Sequence, residues 1–183
     1  MFYKKGDYMN KKVIALVLAV IIILIAGIFI ISEITNKPYE KPYENTTKIT
    51  ALVYYLDSSG IKLQKTDTEI ILKESENKYK KVLEKLIEGP SYTNLHSTID
   101  KRTVINSVTL NNDICTVDFS ESFTEYNTGG SLRELLCVYS VVNTLCQFEE
   151  INKVSFMVNG SKIESFGELD MSGLYEEDLS YTK

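Results

Sequence analysis

Residues 144–160 read TLCQFEEINKVSFMVNG, and the period of the chain changes in the middle of this stretch. Its first residues close a helical pattern. Val154, Phe156 and Val158 then alternate as a strand. Asn159-Gly160 follows, a pair that suits a tight hairpin because both central positions of such a turn need φ above zero. A helix that runs within a few residues into a strand and a hairpin calls for helices packed on a sheet. The same stretch carries Cys146 and two adjacent glutamates, Glu149 and Glu150. The question it poses is whether this corner does chemistry or holds the fold.

Upstream of it, Leu132, Leu135, Leu136, Tyr139, Val142 and Cys146 form an apolar helical stripe. Gly129-Gly130 breaks the chain before it, and Ser131 and Glu134 stand at capping-box spacing. Cys137, Val141 and Thr144 lie opposite the stripe, where a surface helix normally carries charge. Two readings stand. Either another element of the fold covers these small uncharged residues, or they form a face that a partner approaches closely. In the second case Val141→Arg is expected to abolish function without unfolding the domain.

The rest of the chain reads in the same way. TALVYYL (Thr50–Leu56) is rich in strand formers, and IKLQ and TEIIL suggest a second strand pair or an extended arm. Tyr79, Val82, Leu83, Leu86 and Ile87 share one helical face, closed by Gly89-Pro90. TVINSVTL and ICTVDFS form a hairpin around Asn111-Asn112-Asp113, and KIESF returns after the Asn159-Gly160 turn. The order strand, helix, two strands, helix, two strands predicts an α+β two-layer sandwich. A mostly antiparallel sheet would carry two helices on one face.

Nineteen uncharged, mostly aliphatic residues run from Val13 to Ile31. At about 1.5 Å per residue they span roughly 29 Å, close to a bilayer's hydrocarbon thickness. Lys4, Lys5, Lys11 and Lys12 precede them, which places residues 1–12 in the cytoplasm and the rest outside. A cleaved signal peptide is the rival reading, but its apolar core is usually only about 7–15 residues and ends at small residues. This run ends IFIISEIT, so an uncleaved single-pass anchor over 13–31 is the reading adopted. Residues 32–47, with the tandem KPYEKPYE, read as an extended linker. The folded domain is expected over 48–171, followed by a flexible acidic tail over 172–183.

From Ser32 to Lys183 the chain has 16 Lys+Arg and 24 Asp+Glu, a formal charge of −8. That balance argues against nucleic acid, whose binders present basic stripes. Cys115, Cys137 and Cys146 are an odd set without a C-x-x-C spacing, and read as small buried hydrophobes. The single histidine, His96, lies in a polar stretch without zinc-ligand spacing around it. Glu149-Glu150 and Glu176-Glu177-Asp178 are adjacent carboxylates rather than a pair opposed across a cleft. No catalytic residue, metal site or cofactor is expected. Tyr54 and Tyr55 point to opposite faces of one strand, so one of them could offer a stacking surface for sugars.

Three segments together resemble the GerM domain (GerMN) of spore-formation and germination proteins. They are VLEKLIEGP (Val82–Pro90), SVTLNNDICTVDFSESF (Ser107–Phe123) with a V-D-x-S-like strand end, and the opening stretch. The resemblance covers roughly Lys48 to Met171. It implies that Phe148 and Ile151 pin the helix-to-strand corner, that Asn159-Gly160 forms the turn, and that Glu149 and Glu150 sit on its surface. It carries no catalytic residues. It implies a non-enzymatic, membrane-anchored, extracytoplasmic assembly module acting in sporulation or germination. Its partners would be other envelope or sporulation-complex proteins or further copies of itself. The contact surface would be a sheet edge or the Cys137–Val141–Thr144 face. A cell-wall (peptidoglycan) binding module is the alternative.

Overall fold

The computed structural model describes residues 11–35, 45–91 and 94–183. The chain divides into two compact units, Met1–Tyr43 and Glu44–Lys183. In the first, helix α1 spans Lys11–Thr35, and its Lys11–Glu33 portion is long and apolar enough to cross a membrane. This makes it a candidate anchor or signal. The KPYEKPYE linker lies outside the described residues.

The second unit is α+β. A long antiparallel hairpin comes first, β1 (Thr46–Leu56) with β2 (Leu63–Lys73), paired without a break from Thr46↔Lys73 to Leu56↔Leu63. IKLQ and TEIIL thus belong to one continuous strand. Helix α2 (Lys78–Glu88) follows. The Asn77 side chain accepts from the Lys80 N–H at 3.1 Å at its start, and Gly89 at φ 94 ends it. Strands β3 (Ile105–Asn111) and β4 (Ile114–Phe119) form the expected hairpin. A short helix, α3 (Ser122–Tyr126), which the sequence did not reveal, leads to α4 (Ser131–Cys146). Strand β5 (Lys153–Val158) then pairs parallel to β4, and β6 (Ser161–Lys162) folds back on it. A last small hairpin joins β7 (Ser165–Phe166) to β8 (Leu169–Asp170).

The α+β class is as expected, but the strands, expected in one sheet, form three. These are the β1–β2 hairpin, a β3-β4-β5-β6 sheet and the β7–β8 hairpin. Helix α4 packs against β1 from one sheet and β5 from another, with α2 beside it. Beside a small cluster of Tyr54, Leu63 and Leu136, joined to it through the half-buried Tyr139, one large core results. Its aromatic centre is Phe119, Phe123, Phe156 and Phe166, each at most 1% exposed. The Phe119 and Phe123 rings stack at 4.4 Å between centroids, and Phe123 and Phe166 at 4.9 Å.

Two corrections concern the ends of elements. The residue before α4 is Gly130 at φ 98, and Ser131 makes no capping hydrogen bond. The Glu134 half of the expected capping box does form. Its Oε1 accepts from the Gly129 and Gly130 N–H groups at 3.3 Å each. Its Oε2 accepts from the Glu168 N–H at 3.0 Å, in the β7–β8 turn. Glu134 is buried, and these backbone donors, Glu168 first, hold its carboxyl below its ordinary range. One side chain therefore fastens the last hairpin to the first turn of α4.

The second correction is the tail, which is a docked strap rather than a flexible end. Tyr175 exchanges backbone hydrogen bonds with Val154 at 2.8 and 2.9 Å. The Leu63 N–H donates to the Tyr181 carbonyl at 2.7 Å, and the Lys183 N–H to the Leu63 carbonyl at 2.9 Å. Between these ends the Asn143 amide of α4 both donates to the Asp178 carbonyl, at 2.8 Å, and accepts from the Asp178 N–H, at 3.1 Å. This accounts for an asparagine on an otherwise apolar stripe: its amide pairs with a passing backbone as a strand would. The Tyr139 ring meets Tyr175 edge-on and Tyr181 face-on.

The strap ends at Asp57. This residue follows β1 and is 2% exposed. Its Oδ1 accepts from the Ser59 hydroxyl at 2.6 Å and the Gly60 N–H at 3.1 Å, while Oδ2 faces the Lys183 ammonium. Lys183, then Ser59, hold the Asp57 carboxyl well below the usual carboxylate range. A carboxyl whose pKa is lower folded than unfolded stabilises the fold fully above the unfolded value of about 4, and less as pH falls toward the folded one. From this group, stability is therefore expected to be flat from about pH 5 to neutral and to fall below about pH 5. Asp57→Asn should lower stability at neutral pH and flatten part of the acid limb. Urea midpoints of both proteins at several pH values check this, and parallel acid limbs would refute it.

Candidate functional site

Cys137, Val141 and Thr144, the candidate partner face, are each 0% exposed. Helix α4 packs on β1, where Thr144 Oγ1 accepts from the Tyr54 N–H at 3.2 Å. One turn on, Gln147 completes the contact: its Oε1 accepts from the Leu52 N–H and its Nε2 donates to the Leu52 carbonyl, both at 2.6 Å. The edge of β1 that β2 does not pair is thus closed by side chains of α4. A strand edge needs such cover, because its N–H and C=O groups otherwise stay unpaired. The face is an internal joint and is not available to a partner in this fold.

The opening stretch is likewise a joint. Ile151 is 2% exposed, and the half-buried Phe148 ring meets Tyr79 of α2 edge-on at 5.2 Å. The Tyr79 hydroxyl donates to Glu150 Oε1 at 2.6 Å, and the Lys78 ammonium to the same oxygen at 2.5 Å. Lys78, then Tyr79, bring the Glu150 carboxyl down to about 2. Such a group is committed as an anion and unsuited to general acid work near neutral pH. Glu149 is exposed. Asn159 and Gly160 take φ 49 and 76, as the hairpin requires. The Gly160 N–H donates to Asp118 Oδ1 at 2.9 Å, and the Ser120 hydroxyl accepts from the Val104 N–H at 3.0 Å. The V-D-x-S segment therefore braces the turn and the start of β3. Local spacing could not reveal this, since Asp118 and Gly160 are 42 residues apart.

The remaining chemistry-bearing residues do not converge. Cys115 and Cys137 are buried and Cys146 half-buried, all three free, and burial pushes their thiols up to about 12, 12 and 11. At those values thiolate, the reactive form, is scarce at neutral pH. His96 is exposed and joins Leu56 through backbone hydrogen bonds. Tyr54 and Tyr55 are 4% and 2% exposed, so neither offers a stacking surface. Among the described residues no group of three or more His, Cys, Asp or Glu could hold a metal ion. What stays partly open is backbone: in its sheet β3 pairs only with β4, its seven residues, INSVTLN, carry no charge, and on its other edge the Asn77 amide covers the Val108 carbonyl at 2.9 Å.

A family comparison matches residues 52–164 to Germane, described as sporulation and spore germination. The chain belongs to the Germane family. The matched residues run from β1 to just before β7, so the hairpin and the strap that close this Germane unit lie beyond them. Among solved structures, the tandem GerMN domains of the sporulation protein GerM from Bacillus subtilis are similar, at 26% identity and TM-score 0.59. That likeness covers 71% of this chain and 46% of the other, so the Germane chain spans less than half the tandem structure. The first GerMN domain of the same protein, at 24% identity and TM-score 0.54, is covered over 96% of its length and 70% of this chain. A putative lipoprotein from Clostridium perfringens, at 20% identity and TM-score 0.52, is covered over 90%, and 74% of this chain. The last two show a shared fold. A comparison with curated proteins finds no match.

Proposed function

We propose that this Germane protein is a non-enzymatic assembly module, held at the cytoplasmic membrane by Val13–Ile31 with residues 32–183 outside the cell membrane. It acts in sporulation or germination through contacts with other envelope proteins. The observation that carries the reading is the family match over residues 52–164 in a chain that also has a span-length apolar helix. Lys4, Lys5, Lys11 and Lys12, all ahead of the Val13–Ile31 run, support that orientation. With the Cys137–Val141–Thr144 face buried, the contact surface of this reading is a sheet edge, and the β3 edge, covered by Asn77 only at the Val108 carbonyl, lacks the charges that usually discourage pairing.

The test is the yield of heat-resistant spores, and their germination, in a deletion strain. Loss is expected, with restoration by the full chain but not by a version lacking Val13–Ile31. Normal spores that germinate normally would overturn the sporulation role. Full restoration by the version lacking the helix would overturn the anchored form of the idea.

A further inference from the structure

Only two arginines occur in the chain. Arg102 is fully engaged: it pairs with Asp100, Nε to Oδ1 at 2.8 Å and a terminal nitrogen to Oδ2 at 2.9 Å, and its guanidinium lies 3.3 Å from the Tyr126 ring centroid. Arg133, on the first turn of α4, is exposed, and among the described residues its guanidinium has no ion pair or hydrogen bond. It borders a half-enclosed cavity of about 170 Å³, lined also by Leu56, Gly60, Thr98 and Leu136. In a domain of formal charge −8, Asp100 gives both its oxygens to Arg102 and feels Arg133 only through space, so the Arg133 guanidinium keeps its donors for the hollow beside it.

The walls define what could fill it. Leu136 is 1% exposed and with Leu56 makes an apolar side. Thr98 is 4% exposed, and its hydroxyl lies 2.5 Å from the Ser140 hydroxyl. Ser140 donates its own proton to the Cys137 carbonyl at 2.7 Å. Thr98 must then donate to Ser140, and its remaining lone pairs can only accept. The cavity thus offers an acceptor, a cationic fork and an apolar wall. Gly60, at φ 74 with no side chain, leaves its rim open. A free inorganic anion would satisfy Arg133 but leave the acceptor and the apolar wall unused. The C-terminal residue of a peptide with a small side chain meets all three, with its amide N–H toward Thr98, its carboxylate on Arg133 and its methyl on the leucines. The volume is below the roughly 300 Å³ of a typical small-molecule pocket, and suits one residue rather than a larger ligand.

We infer that the Leu56–Thr98–Arg133–Leu136 cavity is a binding site for the carboxylate-terminated end of a short peptide with a small apolar last residue. The probe is N-acetyl-alanyl-alanine with a free carboxylate, titrated against the full chain in detergent micelles with ¹³C-labelled leucine methyls. Saturable shifts are expected at Leu56 and Leu136. The C-terminal amide of the same peptide, and Arg133→Gln with the free acid, should each bind at least about tenfold more weakly, as loss of a charge-assisted bond implies. Arg133 is exposed, so its replacement leaves the fold intact, and an unchanged thermal transition confirms that. Thr98→Val should weaken the acid as well. Equal affinity for acid and amide, an Arg133→Gln titration that overlays the parent, or absence of shifts at Leu56 and Leu136 would each overturn the site.

Discussion

Val141→Arg is expected to unfold the Germane unit rather than to block a contact. Val141 is 0% exposed in the second half of α4, where β1, α2 and β5 pack on the helix. An arginine there would have to bury a cation without a partner, at several kcal/mol even after relaxation. It would also force a side chain far larger than valine into a filled space, for roughly another 1–3 kcal/mol. Against a typical stability of about 5–15 kcal/mol, little or no folded protein should remain. The control lies on the same helix: Leu132 is 43% exposed, and Leu132→Arg should change stability by no more than about 0.5 kcal/mol. The protein has 12 tyrosines and no tryptophan, so tyrosine near-ultraviolet circular dichroism, with protease resistance, reports the packed state. A Val141→Arg protein with the parent spectrum and a cooperative melt would mean that the helix face is not covered as described.

The second large effect is expected at Gly167. It sits in the β7–β8 turn at φ 57, where a side chain is strained by about 1 kcal/mol or more, and a Cβ built on it would overlap the Glu134 carboxylate. Gly167→Ala must therefore push Glu134 aside and leave the Gly129, Gly130 and Glu168 N–H groups without their acceptor. Strain and lost charge-assisted bonds together are expected to cost about 3–4 kcal/mol, or a fall in melting temperature on the order of 10 °C. The mechanism is separable from strain alone. If Glu134 is the obstacle, Gly167→Ala and Glu134→Ala together should cost clearly less than the sum of the two, because the second change removes what the first collides with. Strict additivity would leave only the backbone term.

These two sites also mark what could be read in the sequence and what could not. Helix α2 was legible because the signals for it are local: one apolar face, and Gly89-Pro90 after it. The β3–β4 and β5–β6 turns were legible for the same reason. The burial of α4 was only half legible. Leu135–Gln147 contains no charged residue, and a helix uncharged all round is usually a buried one. Which element buries it was not readable, because the bond from Tyr54 to Thr144 spans 90 residues and nothing near either residue announces it. Glu134 was legible as a capping residue, but its second use at Glu168 depends on a hairpin that returns 34 residues later. The strap misled for a different reason. Its run of acids reads as solvated tail, while its hold on the domain is mostly backbone, which composition does not display. The Arg133 cavity was not legible at all, since its lining comes from three separate parts of the chain.

The long β1–β2 hairpin has a mechanical consequence. A chain tethered upstream of β1 would be pulled at Thr46, which is the open end of that hairpin. Force applied there opens backbone pairs one after another, instead of shearing them all together. Thr46–Thr50 are exposed except for the half-buried Ile49, and the Lys48–Glu69 ion pair sits among them on the surface. From Ala51 onward the strand is held on its other side as well, by Gln147 at Leu52 and Thr144 at Tyr54. The first five residues would therefore yield at low load, paying out about 3.3 Å each. Extension would stop where α4 grips the strand. The domain would thus carry a short give in its own mooring, which takes up tension before the core feels it.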